Sequence, residues 1–363
     1  MWALIDADMQ WASVRAGLAA LAVSGCTTAA DHQYLFPRGA GEVFEAEVEA
    51  ARTIGIRLHA VRGSMDLGTA RGGLPPDVVT EEIEEALAAT EQAIDKWHDP
   101  SPSSRLRVAV GPCSPFSASR ALMTESAALA RSRGVRLHTH LAETQDEETY
   151  CLERFGLRPV EYAAELAWLG DDVWLAHGVH LNHAEIAHLG DTVTGVAHCP
   201  SSNARLAAGI APVPALLDAG VPTGLGVDGA ASNESGEIAV ELRMALLAAR
   251  LRAGAKALRA RDVLRMATVE GARCLGREAE IGSLEVGKLA DVALWRIDDL
   301  RHAGIEEPVT ALVFGAPPRP EVVMVGGKPV VEDGRLVTED EDDLARAAAL
   351  QSRRLRTLAG GAP

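Results

Sequence analysis

The feature that most constrains this chain is an alternation. Short runs rich in Val, Ile and Leu recur along most of its 363 residues, each separated from the next by a longer stretch with helical spacing. Strands are expected at residues 54–61, 106–110, 135–140, 172–176, 192–197 and 221–227. Helices are expected around and between them, at 41–53, 76–97, 118–133, 146–154, 160–168, 183–189 and 213–219. An Ala-rich helix at 10–23, ended by Gly25, precedes them all. Strands that alternate with helices build βαβ units and a parallel sheet. Polar residues gather where the apolar runs end, in Val135-Arg-Leu-His-Thr-His140, Val173-Trp-Leu-Ala-His177, Gly195-Val-Ala-His-Cys-Pro200 and Gly224-Leu-Gly-Val-Asp228. A (β/α)8 barrel assembles its site from those C-terminal strand ends. A doubly wound sheet does so too, but usually carries a Gly-rich phosphate turn after an early strand, and none is present. The expected fold class is therefore α/β, a (β/α)8 TIM-type barrel over residues 1–275.

Beyond Gly276 the texture changes. Residues 281–295 read as a turn and then a strand, and 322–331 as a hairpin on Gly326-Gly327. A small β unit is expected at 276–335. A helix at 338–356 and a tail occupy 336–363. The helix carries Glu339 to Asp343 at its start and Arg353, Arg354 and Arg356 at its end, an order that suits the helix dipole of a solvated surface helix.

Charge and cysteines narrow the class. Lys and Arg number 35 against 51 Asp and Glu, for a formal charge of −16, which argues against nucleic acid or an anionic membrane as a partner. No apolar run reaches the ~18 residues of a membrane span. The five cysteines include no C-x-x-C pair and read as reduced thiols of a cytoplasmic protein. Leu21-Ala-Val-Ser-Gly-Cys26 is shaped like a lipoprotein cleavage box. The segment before it carries Asp6 and Asp8 and has no basic start, so the helix reading stands.

Four segments carry the chemistry. In His138-Thr-His140-Leu-Ala-Glu143, strand alternation puts both histidines on one face, and neutral imidazole is the commonest ligand of a divalent metal. Glu143 opens the following loop, where it can work as an acid or base. The alternative is a pair of satisfied barrel-interior histidines. In Leu175-Ala-His177-Gly-Val-His180, His177 directly follows the apolar run, whereas His180 and His183 default to surface roles. Asp228 can ligate a metal and take a proton from its water, or can cap a helix. His198 and Cys199, in His198-Cys-Pro-Ser-Ser-Asn203, are assigned to packing and loop shaping in preference to a metal or a thiol nucleophile.

The order His-x-x-Glu, then His, then His-Cys-Pro-x-Ser-Asn, then Gly-x-Asp on consecutive strand ends resembles the amidohydrolase superfamily, in its cytosine, guanine and adenosine deaminase branch. That resemblance covers essentially the whole chain. It implies one divalent metal ion, zinc or alternatively iron, at a site containing His140, Asp228 and His177. Within it, His140 and Asp228 would be ligands, Asp228 would also act as base, His177 would orient the attacking water, and Glu143 would carry the proton. Gly282 to Trp295 resembles the return strand of the family's small β-sandwich.

Within the branch, the strings 24–37, 62–65, 112–116, 136–144 and 226–233 are most similar to deaminases of 8-oxoguanine. The implied reaction is hydrolysis of 8-oxoguanine to urate and ammonia. Related aminohydrolases of guanine, isocytosine or cytosine, or s-triazines are the alternatives. Tyr34 and Phe116 are candidates to lie against a flat heterocycle, with core packing as their other reading. A small purine-like substrate and a homo-oligomer are expected. The family's first-strand motif, Pro-Gly-x-x-x-x-His-x-His, is absent from the sequence, so the barrel over 1–275 is expected to lack its first strand, residues 276–335 to form only the C-terminal part of the β-sandwich, and two of the four ligands are present. A truncated or misannotated start is the expectation, with an inactive fragment or metal-free pseudoenzyme as the alternative.

Overall fold

The computed structural model describes residues 1–315 and 317–360. Seven strands form one parallel sheet in sequential order. They are β1 (Thr28–Gln33), β2 (Arg57–Ser64), β3 (Leu106–Pro112), β4 (Leu137–Leu141), β5 (Val173–His177), β6 (Gly195–His198) and β7 (Thr223–Leu225). Helix α1 (Ala7–Val23) precedes β1. After β1, β2 and β3 come α2 (Val43–Ile54), α3 (Ile83–Trp97) and α4 (Arg120–Arg133). After β4 come α5 (Gln145–Phe155) and α6 (Pro159–Glu165), and after β5 comes α7 (His183–Asp191). Helices α8 (Pro200–Arg205) and α9 (Val213–Asp218) follow β6, and α10 (Ile238–Ala253) follows β7.

The sheet is curled, and interior side chains measure the curl. In a flat sheet, β1 and β4 would lie about 14 Å apart, three strand spacings. Yet the rings of His32 on β1 and His138 on β4 are 4.8 Å apart. His59 on β2 comes within 5.2 Å of Trp174 on β5 in the same way. Parallel strands, sequential order, crossover helices and this curl make the TIM-type architecture. Among the described residues, β1 and β7 each pair with a single neighbour. All eight residues of β2 are buried, as befits a strand with a core on both faces.

Several boundaries differ from expectation for local reasons. The strand expected at 54–61 starts at Arg57, because Ile54 is the last buried residue of α2 and Gly55 caps that helix at φ 90°. The strand expected at 192–197 starts at Gly195, since Thr192 still caps α7 and Val193 turns the chain at φ 56°. The helix expected from residue 76 begins at Ile83, after a separate turn of 3-10 helix at Asp77–Val79. Strand β1 has little β propensity of its own, and it is held by its ladder with β2, from Thr28↔Arg57 to Gln33↔Arg62. Helix α10 also lies outside the expected elements.

Helices α11 (Ala260–Arg265), α12 (Gly271–Cys274) and α13 (Pro308–Phe314) lead around a second, antiparallel sheet to α14 (Glu341–Leu358). That sheet has the order β11-β10-β9-β8, from β8 (Val292–Leu294), β9 (Val322–Val325), β10 (Lys328–Glu332) and β11 (Arg335–Leu336). The expected hairpin turns on Gly326 and Gly327, both at positive φ (58° and 75°), as a two-residue turn requires. The tail at 361–363 lies outside the described residues.

One buried ion pair joins the two sheets. Arg57 donates from Nε to Asp291 Oδ2 at 2.8 Å and from Nη2 to Oδ1 at 3.0 Å, with side chains 1% and 3% exposed. Its Nη1 donates to the carbonyls of Ser103 and Ser104, and the Gly326 amide donates to the same Asp291 carboxylate. The guanidinium has no water to fall back on. Asp291→Ala should therefore lower unfolding free energy by about 3–5 kcal/mol, as expected when one partner of a buried pair is removed. Urea denaturation measures it, and a loss within experimental error would show the pair to be dispensable.

Candidate active site

Parallel strands bring their C-terminal ends to one rim, and the polar residues foreseen at those ends meet there. His140 lies in β4, His177 ends β5, and Asp228 lies in the loop beyond β7. Their ligand atoms fall within 4.8 Å of one another. Glu143 joins them, with its Oε2 3.8 Å from His177 Nε2. The backbone at this rim is held in an uncommon conformation. Ala142, His177 and Asp228 take left-handed φ values of 54°, 75° and 63° respectively, outside the region non-glycine residues favour.

The hydrogen bonds specify which ring nitrogen is free. His140 Nδ1 lies 2.8 Å from the Cys113 carbonyl, which can only accept, so the proton sits on Nδ1. His177 Nδ1 donates to Asn203 Oδ1 at 3.0 Å. In both rings Nε2 is left with a lone pair. Burial, followed by repulsion from His177, lowers the proton affinity of His140, and burial does the same for His177 despite the nearby Asp228. The imidazoles are thus neutral, and the His177–Glu143 contact is no ion pair. Asp228 accepts from Ser202 Oγ, from Ser232 Oγ at 2.9 Å and from the Gly229 amide at 2.7 Å. Burial works to raise its pKa, but His177, Ser202 and the other donors more than offset this and keep the carboxyl ionised. Glu143 goes the other way. Burial, reinforced by Asp228 and opposed by His140, raises its affinity for a proton. Two neutral imidazole nitrogens and an ionised carboxylate form a donor set of the kind that holds a divalent transition metal.

His138 is not part of this group. Its Nδ1 donates to the Trp174 carbonyl and its ring stacks on Trp174 at 4.7 Å, so it is a satisfied interior histidine. Asp228 caps no helix, since the next one, α10, starts at Ile238. His198 and Cys199 are buried; burial lowers the His198 pKa to about 3 and raises that of the Cys199 thiol well above its usual value. His180 Nε2 bonds the Ala208 carbonyl, and His183 begins α7.

Tyr34 stands at the site, its ring edge-on to His140 at 5.8 Å and to His32 at 5.2 Å. Phe116 lies in the loop after β3 and packs on Tyr150 at 5.1 Å, outside the metal-type cluster. His32 was not foreseen as part of this neighbourhood: it stacks on His140 at 4.9 Å and donates from Nε2 to the Gly111 carbonyl. Ser202, Asn203, Ser232 and Glu241 were given no role either. Glu241 on α10 bonds the Ser201 amide and the Asn233 side chain, tying the loops after β6 and β7 together.

Residues 1–330 match the Amidohydrolase family. The chain belongs to that family. It is 47% identical over 334 residues to an 8-oxoguanine deaminase of Pseudomonas aeruginosa, covering 92% of this chain and 74% of that protein. It is 39% identical to a hydroxydechloroatrazine ethylaminohydrolase of a Pseudomonas species, covering 96% of this chain and 73% of that protein. Among solved structures, the zinc complex of an atrazine chlorohydrolase from Arthrobacter aurescens superposes with a TM-score of 0.91 at 35% identity, covering 95% of this chain and 77% of that one. The family and the deaminase relatives make the chain a hydrolase of C–N bonds. No helix among the described residues is long and apolar enough to cross a membrane.

Beneath Glu143, Glu147 on α5 accepts the amides of Ala142 and Glu143 at 2.7 and 3.0 Å. Burial raises its pKa from 4.5 to about 8. The folded protein therefore binds this proton more tightly than the unfolded chain, and stability should fall as pH rises from about 4.5 toward about 8. Glu147→Gln should remove that part of the slope in urea titrations from pH 5 to 8. An unchanged slope would assign the pH dependence to other groups.

Proposed function

We propose that this amidohydrolase is a zinc-dependent deaminase that converts 8-oxoguanine and water to urate and ammonia. The observation that carries the reading is the meeting of His140, His177 and Asp228 beside Glu143, with both imidazoles presenting a free Nε2. His140 and Asp228 would hold a divalent cation, with His177 alongside, and the bound cation would supply Lewis-acid activation and bring the pKa of a water near ~7. Asp228, ionised at neutral pH, accepts that water's proton, while His177 orients the water toward the ring carbon that bears the amine. Glu143, whose proton affinity is raised, delivers a proton to the ring nitrogen and, once reprotonated by the proton that Asp228 took up, to the departing ammonia. Tyr34 forms an aromatic wall for a planar heterocycle. The similarity to an 8-oxoguanine deaminase and the zinc in the atrazine chlorohydrolase neighbour support the substrate and the metal. The barrel residues 1–275, the β unit 276–335 and the helix and tail 336–363 are the proposed divisions of the chain.

Three measurements test the reading. His140→Ala and Asp228→Ala should each lower bound zinc, read by elemental analysis, along with activity. Glu143→Gln should keep the metal and lose about 10²–10⁴-fold in rate, the usual share of a proton carrier. Loss of metal in that variant would make Glu143 a ligand instead. Ammonia release should be faster from 8-oxoguanine than from guanine, isocytosine or a triazine. Pocket groups matched to the C8 carbonyl and N7–H would be left unpaired by guanine, at about 1–3 kcal/mol each. Preference for a triazine, which the second relative makes the main competitor, would overturn the substrate assignment.

A further inference from the structure

We propose that Ser202 and Asn203, consecutive residues of α8, are positioning residues that preset the donor atoms of Asp228 and His177 before any metal arrives. The inference rests on the metal-site reading above and extends it to residues that touch neither metal nor substrate.

The topology explains why these two residues can do it. Strand β6 lies between β5 and β7 in the sheet. The turn after β6 is therefore flanked by the ends of both neighbours. Its helix starts with Pro200 and places two adjacent side chains on opposite partners. Asn203 turns toward β5 and takes the His177 Nδ1 proton at 3.0 Å. Ser202 turns toward β7 and donates its hydroxyl to Asp228 Oδ2. Both residues are buried, at 0% and 1% exposure, so water cannot replace these bonds. The helix is itself anchored, by the Asn203 amide on the Cys199 carbonyl, by the Ala208 amide on the Asn203 carbonyl, and by Glu241 on the Ser201 amide.

Two features make the contacts consequential. His177 and Asp228 both hold left-handed backbone conformations, which persist only where the surroundings over-determine them. The side-chain bonds from α8 fall on those two strained residues. The orientation of the Asn203 amide also selects the tautomer of His177. With Oδ1 facing the ring, Nδ1 carries the proton and Nε2 keeps its lone pair free at the metal site. With the amide reversed, Nδ2 would donate to Nδ1, Nε2 would carry the proton, and the ring would offer the metal site a proton in place of a lone pair. The Nδ2 group has no partner in its buried setting, so the only hydrogen-bonding task of this side chain is the one it performs on His177.

The test uses cobalt(II) as a spectroscopic probe of the metal site at pH 8, alongside the tautomer of His177 in metal-free protein from long-range 1H–15N spectra. Wild-type protein should bind cobalt(II) with a visible ligand-field band and should show His177 protonated on Nδ1. Asn203→Ala and Ser202→Ala should each weaken cobalt(II) binding about 10–100-fold, the usual effect of removing an outer partner that orients the groups of a metal site. The conservative variants should rescue it: Asn203→Asp, which can only accept, and Ser202→Thr, which keeps the hydroxyl. Asn203→Ala should also lose the single Nδ1–H tautomer, a change that loosened packing alone would not produce. Far-UV circular dichroism and thermal melts identify any variant that fails to fold, and for such a variant the wild-type tautomer and the conservative substitution carry the decision. Wild-type His177 protonated on Nε2, or Asn203→Asp binding as poorly as Asn203→Ala, would overturn the proposal. Alanine variants that fold and bind cobalt(II) like wild type would overturn it as well, leaving the metal site intact. Absence of cobalt(II) binding in the wild type would overturn the metal-site reading together with this one.

Discussion

The structure depends on the curl of a parallel sheet. With every strand pointing the same way, each loop that follows a strand opens on the same rim, and the curl then brings those loops to face one another. Histidines of β1 and β4, three strands apart in the ladder, come within 4.8 Å only because the sheet bends round on itself. The same bend places the end of β5 and the loop beyond β7 close enough for His177 and Asp228 to share a site with His140. Helices reinforce this proximity where Ser202 and Asn203 of α8 and Glu241 of α10 bond the rim loops, while most of the helical surface lies outside. They cover the outer face and leave the interior to side chains of the strands.

Within that rim, burial and hydrogen bonding set protonation. Removing imidazoles from water favours their neutral form, and carbonyl or amide acceptors at Nδ1 leave Nε2 unprotonated. The two carboxyl groups nearby are pushed in opposite directions. Asp228 is surrounded by hydroxyl and amide donors and stays charged, whereas Glu143 is half-buried beside that charge and holds its proton more tightly. In the proposed mechanism these opposed shifts provide one group to accept a proton and another to deliver it. The strained φ values at His177 and Asp228 fit the same picture, because local strain concentrates where side-chain direction matters most.

The second sheet is linked to the barrel at the opposite end of the strands. Arg57 stands at the start of β2, and its two-point bond to Asp291 reaches from the barrel floor to the antiparallel sheet. Arg105, just before β3, adds bonds to the carbonyls of Gly55 and Val325. The fold thus separates its tasks along the strand axis, with structural connection at the N-terminal ends and chemistry at the C-terminal ends.

Much of this was legible in the sequence. Hydrophobic periodicity is a local property, so the βα alternation, the hairpin on Gly326-Gly327 and the strand-end positions of His140, His177 and Asp228 could be read residue by residue. The resemblance carried by the ordered motifs added the family and the pairing of Glu143 with the histidines. Strand β1 and helix α10 were not legible, because β1 is defined by its ladder with β2 and α10 by its packing against the barrel. The difference between His138 and His140 was hidden as well. Both lie on one face of β4, and only the tertiary neighbours, Trp174 for one and Cys113, His177 and Asp228 for the other, give them different fates. The sequence determines which side chains reach the rim, because strand period and direction are local. The tertiary structure alone decides which of them meet, which nitrogen each presents and which acid keeps its proton, because those outcomes depend on atoms brought together from distant parts of the chain.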